Sequence, residues 1–300
     1  MESTTTPIHR LLTVEVRAAI ERSVANYRGR RWRIQHVVDK RDEASHPAAI
    51  LSDARYAVFV KFGVAWDQLQ IEAASLRLLA ERSGVLTPTV IDVVQSADAM
   101  LIIMEVVQSI ERGSRQWREM GYALAQIHNI KGEKFGLETN CYWGALHQDN
   151  TPADSWPEFF WARRVEPHLR AAVNTGGLPI EIASQIEHLG ARLSELCGPP
   201  VAPTLLHGDA HQNNFINSPQ GAVLIDPAVY YGHPEMDLAY VDVFAPVSNE
   251  LYAGYQERMP IEPGFDDRRH LWILPFRLAM IEVDGPQHVD ALRETLRRIA

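Results

Sequence analysis

The run HGDAHQNNF, His207–Phe215, followed by the apolar AVLI that leads into Asp226-Pro227, constrains this chain more than any other feature. It sets out a carboxylate, a carboxamide five residues later and a second carboxylate at a strand end, in the order and spacing that phosphoryl transfer requires. Such transfer needs little covalent work from the protein and much positioning and charge neutralisation. Asp209 is therefore the expected general base for an acceptor hydroxyl. Asn214 and Asp226 are the expected magnesium ligands on nucleotide phosphates, and His207 is expected to support the loop. HGD alone is a short signal, because Asp, Asn and Gly are common turn formers. The apolar PTLL before it, the strand before Asp226 and a single lysine in an upstream strand add weight, since they fall in kinase order.

Composition narrows the class. The chain has 300 residues, 46% hydrophobic and 22% charged, enough to bury a sizeable core as one large domain or two modest ones. No apolar run approaches the roughly 20 residues of a membrane span, and Glu15, Arg17, Glu21 and Arg22 occupy the place of a signal-peptide core. The expectation is a cytoplasmic protein without a membrane partner. Cys141 and Cys197 lack the spacing of a zinc site or disulfide framework and read as buried small hydrophobes. A net charge of −9, with no basic cluster beyond Arg28–Arg33, argues against nucleic acid as a partner. Only four of the 29 cationic residues are lysines, so Lys61, inside an apolar strand, stands out.

The pattern along the chain fits an α+β protein of two lobes, a small β-rich N-lobe over 1–107 and a larger, mostly helical C-lobe over 108–300. Helix periodicity covers Val14–Tyr27, and strand patterns follow at Trp32–Val38, Ala48–Leu51 and Tyr56–Phe62. Trp66–Glu81 reads as a helix with Leu69, Ala73 and Leu76 on one face, and Glu72 on it is expected to pair with Lys61 and orient it toward the α/β-phosphates of ATP. Val90–Val94 and Met100–Val107 are the next strands, the second running into a hinge where backbone groups near Glu105 and Val107 would meet the adenine edge. Helices are expected over Trp117–His128, Ser155–Val173, Ile180–Cys197, Asp267–Glu282 and Gln287–Ile299. Asp237 is expected to cap a helix and brace the catalytic loop through its backbone amides.

With these elements placed, the chain resembles the fructosamine (ketosamine) kinase family, related to the aminoglycoside phosphotransferases. The resemblance runs through FVKF at Phe59–Phe62, IEAASLRLLA at Ile71–Ala80, GYALAQIH at Gly121–His128, the long stretch Lys134–Leu169, LIDPAVYYGHPEMDLAYVDVF at Leu224–Phe244 and YQERMPIEPGF at Tyr255–Phe265. It implies that the two lobes are those of a bilobal, protein kinase-like fold, with ATP and magnesium, a small-molecule sugar-type acceptor, and the roles given above for Lys61, Glu72, Asp209, Asn214 and Asp226. Asn150 and Trp156, in the long stretch, are expected on the acceptor side together with His211. Two departures bear on the substrate. Val37–Asp53, where the family carries a glycine-bearing nucleotide loop, has no glycine, so close backbone approach to phosphate is harder. Where the family reads HGDLWxGN this chain reads HGDAHQNN: His211 replaces the indole beside the acceptor, as in antibiotic phosphotransferases that read HGDLHxxN. The leading expectation is a small-molecule kinase acting on a sugar, ketosamine or sugar-bearing metabolite. An aminoglycoside or nucleoside-antibiotic phosphotransferase is the alternative, and a catalytically weak kinase-like binding module a more distant one.

Overall fold

The computed structural model describes residues 7–41, 46–96 and 99–299; part of the glycine-free loop, 42–45, lies outside them. The chain divides into two compact units. The first takes Met1–Glu111 together with Gly144–Leu146 and Ile216–Asp226, and the second takes Arg112–Trp143, His147–Phe215 and Pro227–Ala300.

The first unit is built on an antiparallel sheet of β1 (His36–Asp39), β2 (Ala48–Ser52), β3 (Ala57–Gly63), β4 (Val90–Gln95) and β5 (Met100–Glu105), in the order β1-β2-β3-β5-β4. Side chains alternate faces along a strand. Val58, Val60, Phe62, Leu101 and Ile103 therefore pack against Val16, Ile20 and Val24 of the helix Val14–Arg28. Ile102 and Met104 pack with Phe59 on the other face, against Leu69, Ala73 and Leu76 of the helix Trp66–Ser83. By the same alternation Lys61 belongs to the face covered by the helix that carries Glu72. Fully burying one such Leu, Ile or Val contributes about 1.5–3 kcal/mol, so this sandwich of sheet and helices is a firm mount for the lysine.

The strand expected from Trp32 begins only at His36. Trp32 is buried with its indole N–H on the Tyr56 carbonyl (3.1 Å), and the Ile34 amide donates to the Glu21 carboxylate (3.0 Å). The Glu21 side chain thus takes a backbone donor that a ladder would have used. The hairpin of Phe215–Ser218 and Gly221–Leu224 follows the catalytic run, and from Ile216 it belongs to the first unit. There the Leu224 amide bonds the Leu86 carbonyl (2.9 Å) and the Ile110 amide bonds the Asn217 carbonyl (2.8 Å).

The second unit is mainly helical. Its tightest helix pair is Ser114–His128 with Asn249–Gln256, crossing at two glycines. A Cβ on Gly121 would lie 2.0 Å from the Leu251 carbonyl oxygen, and one on Gly254 2.3 Å from that of Arg118. The single helix expected over Ser155–Val173 is three pieces: α-helix Trp156–Phe159, a π-helical Phe160–Val165, and α-helix Glu166–Asn174. Pro167 supplies no N–H to the turn before it, so the ladder widens there. Gly190 closes the helix Ile180–Gly190 against the Trp161 ring, and a separate turn, Leu193–Leu196, follows. The expected Asp267–Glu282 helix divides at Pro275 into Phe265–Trp272 and Leu274–Asp284.

Candidate active site

In the first unit, Lys61 is buried on β3 with its ammonium 3.0 Å from both carboxylate oxygens of Glu72 and 2.7 Å from Oδ1 of Asp226. The expected Lys61–Glu72 pair is present, and Asp226, 165 residues away in sequence, completes it. Asp226 holds a φ of 52°, the only non-glycine residue with positive φ among those described. That left-handed backbone is tolerated by Asp better than by most side chains and marks a site where local strain serves geometry. Charge follows burial and pairing. Burial opposes the Lys61 charge, but Asp226 and Glu72 outweigh it and hold the ammonium above the ordinary lysine value. Burial raises Glu72 to about 7 despite Lys61, with Asp226 adding to the rise. Asp226 itself, desolvated yet facing Lys61, stays below the ordinary carboxylate value.

Glu105 lies at the end of β5. Its carboxylate accepts from the hydroxyls of Tyr27 (3.2 Å) and Tyr56 (3.0 Å), and burial with this acceptor lifts Tyr56 to about 12. Its amide is used on the Thr89 carbonyl (2.9 Å), and Val107, two residues on, is half-buried.

The second unit holds the catalytic run. Strand Thr204–Leu206 pairs antiparallel with Tyr230–Gly232, and Gly208 then turns with φ 82°. A Cβ there would meet the Ala228 carbonyl oxygen at 1.9 Å, so only glycine lets the loop pass. Asp237 was expected to cap its helix. The helix instead starts at Glu235, which puts Asp237 inside the first turn, while the bracing role is there: Oδ2 accepts from the His207 amide (2.7 Å) and Oδ1 from the Gly208 amide (2.9 Å). The same carboxylate meets Nε2 of buried His128 (3.1 Å), whose Nδ1 meets the Tyr255 hydroxyl (2.9 Å). Burial holds Tyr255 far above the ordinary phenol value, so the hydroxyl beside Nδ1 keeps its proton, with Met259 Sδ as an acceptor at 3.1 Å. His207 supports from the other side, its Nδ1 accepting the Asp209 amide (3.3 Å).

This bracing holds Asp209 in place. Asn214 Nδ2 donates to the Asp209 carbonyl (2.8 Å) and to its Oδ2 (3.1 Å), which turns the Asn214 carbonyl oxygen away from that carboxylate. His211 Nε2 stands 3.7 Å from Oδ2, and the His211 ring meets Phe244 edge-on.

Two expectations are corrected. Asn150 is fully buried: its Nδ2 donates to the carbonyls of Thr139 and Val229, and its Oδ1 accepts from Arg164. It clamps loops together and presents nothing to an acceptor. Trp156 is buried among Phe135, Phe159, Phe160, His233 and Trp272, a core ring. An indole stands beside Asp209 from elsewhere in the chain, since Trp143 Nε1 donates to Asp209 Oδ1 at 2.6 Å. Trp143, His128 and Tyr255 lie in stretches that carry the resemblance but were given no role, because their partners lie 66 to 127 residues away in sequence.

The comparisons agree with this geometry. A ketoamine kinase homologue of Synechocystis sp., so far assigned that activity only as probable, is 29% identical over 286 residues, covering 93% of this chain and 95% of its own. A structure from Thermobifida fusca bearing the name fructosamine-3-kinase superposes with a TM-score of 0.82 at 28% identity, covering 94% and 98% of the two chains. An aminoglycoside phosphotransferase solved with ADP and hygromycin B shares the fold, with a TM-score of 0.63 at 13% identity over 94% and 96%. The sequence profile of the fructosamine kinases matches residues 16–300. With a lysine–glutamate pair mounted on a sheet, a braced HGD loop and a profile that spans nearly the whole chain, the protein belongs to the fructosamine kinase family of ATP-dependent small-molecule kinases.

Proposed function

We propose that the protein transfers the γ-phosphoryl of ATP to a hydroxyl of a ketosamine or closely related sugar-type acceptor, with Asp209 as general base. The observation that carries this reading is the Asp209 carboxylate, locked by a donor on each oxygen and set on a loop whose amides are tied to buried Asp237. A carboxylate so held accepts the acceptor proton as the oxygen attacks, with no reorganisation of its surroundings. Lys61 binds phosphate oxygens, Glu72 keeps it aimed, and Glu105 with Val107 receives the adenine in this reading. The first unit is then the nucleotide part and the second the acceptor part. A cytosolic setting, where ATP is abundant, belongs to the same reading; no helix among the described residues is long and apolar enough to cross a membrane.

Hard oxygen donors suit magnesium, and Asp226 and Asn214 each carry one. Asp226 offers a carboxylate whose side chain is about a third exposed, and Asn214 offers a carboxamide oxygen oriented by its own N–H bonds. When bound, magnesium neutralises charge on the phosphates.

His211 in place of the family indole supports the second reading, an antibiotic-type acceptor. Measuring ATP consumption against fructosyl-lysine, deoxy-morpholinofructose, aminoglycosides and nucleoside antibiotics tests both. We expect the highest kcat/KM on a ketosamine. An aminoglycoside turned over at higher efficiency than every ketosamine would reverse the order of the two readings, and ATP consumption with none of them would remove the sugar-type acceptor.

The raised Glu72 value predicts a pH effect on nucleotide binding. Relative to an unfolded carboxylate, the folded protein keeps a proton on Glu72 at mildly acidic pH, so the stability this lends is lost as pH rises through about 7. The ionised form is the one that pairs with the Lys61 ammonium and keeps it aimed, so ATP affinity gains as the same proton leaves. His46, lowered by burial and by Lys61, is uncharged across most of the window. We expect ATP affinity to rise about tenfold from pH 6 to pH 8, and Glu72→Gln to flatten that rise. Calorimetric titration of both proteins across the range measures it; parallel profiles would show that Glu72 does not control the nucleotide.

A further inference from the structure

Trp143 has no part in the motif chemistry, yet it is the nearest donor to the base. Its Nε1–H reaches Asp209 Oδ1 at 2.6 Å, while its ring lies parallel to Tyr240, at an interplanar angle of 1° and a centroid distance of 5.4 Å. Phe276 and His168 meet the same ring at steep angles, and Gln148 and Glu282 fix His168 through its two ring nitrogens. The indole is therefore held on several sides by groups of its own unit, and it remains half-buried beside Asp209.

We propose that Trp143 is a positioning residue for the base: its indole N–H occupies Oδ1 and turns Oδ2 toward the acceptor hydroxyl, and its ring edge forms the wall against which the acceptor's sugar packs. The proposal rests on Asp209 being the base. A carboxylate with two unconstrained oxygens rotates about its terminal bond, which is broad and soft. A charge-assisted N–H···O bond on one oxygen removes that freedom and keeps the other aligned. Asn214 Nδ2, 3.1 Å from Oδ2, is a longer donor contact to that oxygen, weaker than that of the indole on Oδ1. His211 Nε2, 3.7 Å from Oδ2, is too far for a direct bond, and a hydroxyl oxygen can stand at hydrogen-bond distance from both. The indole that the HGD run lacks at position 211 is thus supplied from the hairpin of Cys141–Trp143 and Leu146–Gln148, presenting its N–H as well as its ring.

The N–H and the ring separate by substitution. Trp143→Phe keeps the stack on Tyr240 and loses the donor, Trp143→His keeps a ring N–H at comparable reach, and Trp143→Ala loses both. Steady-state kinetics with both substrates varied, on the acceptor most active in the screen, is the experiment, with Asp209→Asn run beside them. We expect Trp143→Phe to lower kcat by about tenfold to a hundredfold, the worth of one hydrogen bond to a charged group, while both KM values stay within about twofold. Trp143→His should recover part of that loss, and Trp143→Ala should raise the acceptor KM in addition, with the ATP KM unmoved. Parental kcat in Trp143→Phe, or equal losses in the Phe and His variants, overturns the proposal. An active Asp209→Asn overturns the base assignment beneath it, whereas an inactive Asp209→Asn beside a parental Trp143→Phe overturns the role of Trp143 alone.

Discussion

Asp209→Asn is expected to lower kcat by about 10²–10⁴-fold, the usual worth of general-base assistance, with the fold and the ATP KM retained. The amide is nearly isosteric but cannot take the acceptor proton. The loop does not depend on that carboxylate for its shape, since its amides at His207 and Gly208 are held by Asp237 and its backbone carbonyl at Asp209 by Asn214. The change should therefore be confined to the chemical step. Single-turnover measurements with saturating ATP and acceptor read that step directly. A variant retaining more than about a tenth of parental turnover would show that the acceptor proton leaves by another route.

Asp226→Ala is expected to act on the metal, and to act harder than Asn214→Ala. A carboxylate both coordinates and neutralises a divalent cation, whereas a carboxamide only coordinates it. The loss in kcat should reach about a hundredfold or more at saturating magnesium. The variant also removes the 2.7 Å partner of Lys61 while leaving Glu72 at 3.0 Å, so the lysine remains paired and the sheet that carries it undisturbed. The second readout is binding. Magnesium with ATP should raise the melting temperature of the parent more than ATP with a chelator does, and Asp226→Ala should abolish the difference. An unchanged difference between the two conditions would assign the metal to other residues.

The motif residues were legible because each is tied to a local pattern. Lys61 lies on an alternating strand, Glu72 at the edge of a periodic apolar helix face, and Asp209 and Asn214 within one loop. Element ends were less legible wherever a proline or a distant side chain took a backbone partner, as at Pro167, at Pro275 and before His36. Asn150 and Trp156 show the reverse error. A polar amide and a large aromatic in a motif-rich stretch suggest a ligand surface, and burial with fully assigned bonds to Thr139, Val229 and Arg164, or with five aromatic neighbours, makes them structural.

The sequence by itself determined the fold class and brought Lys61 and Glu72 together as a pair, because periodicity and motif spacing act over a few residues to a few turns. Only the tertiary structure decided what surrounds them: Asp226 on Lys61 across 165 residues, the Tyr255–His128–Asp237 chain beneath the HGD loop, and the Trp143 indole on the base across 66. The physical reason is that a buried polar group must find a partner wherever packing brings one, and packing joins residues without regard to their distance along the chain.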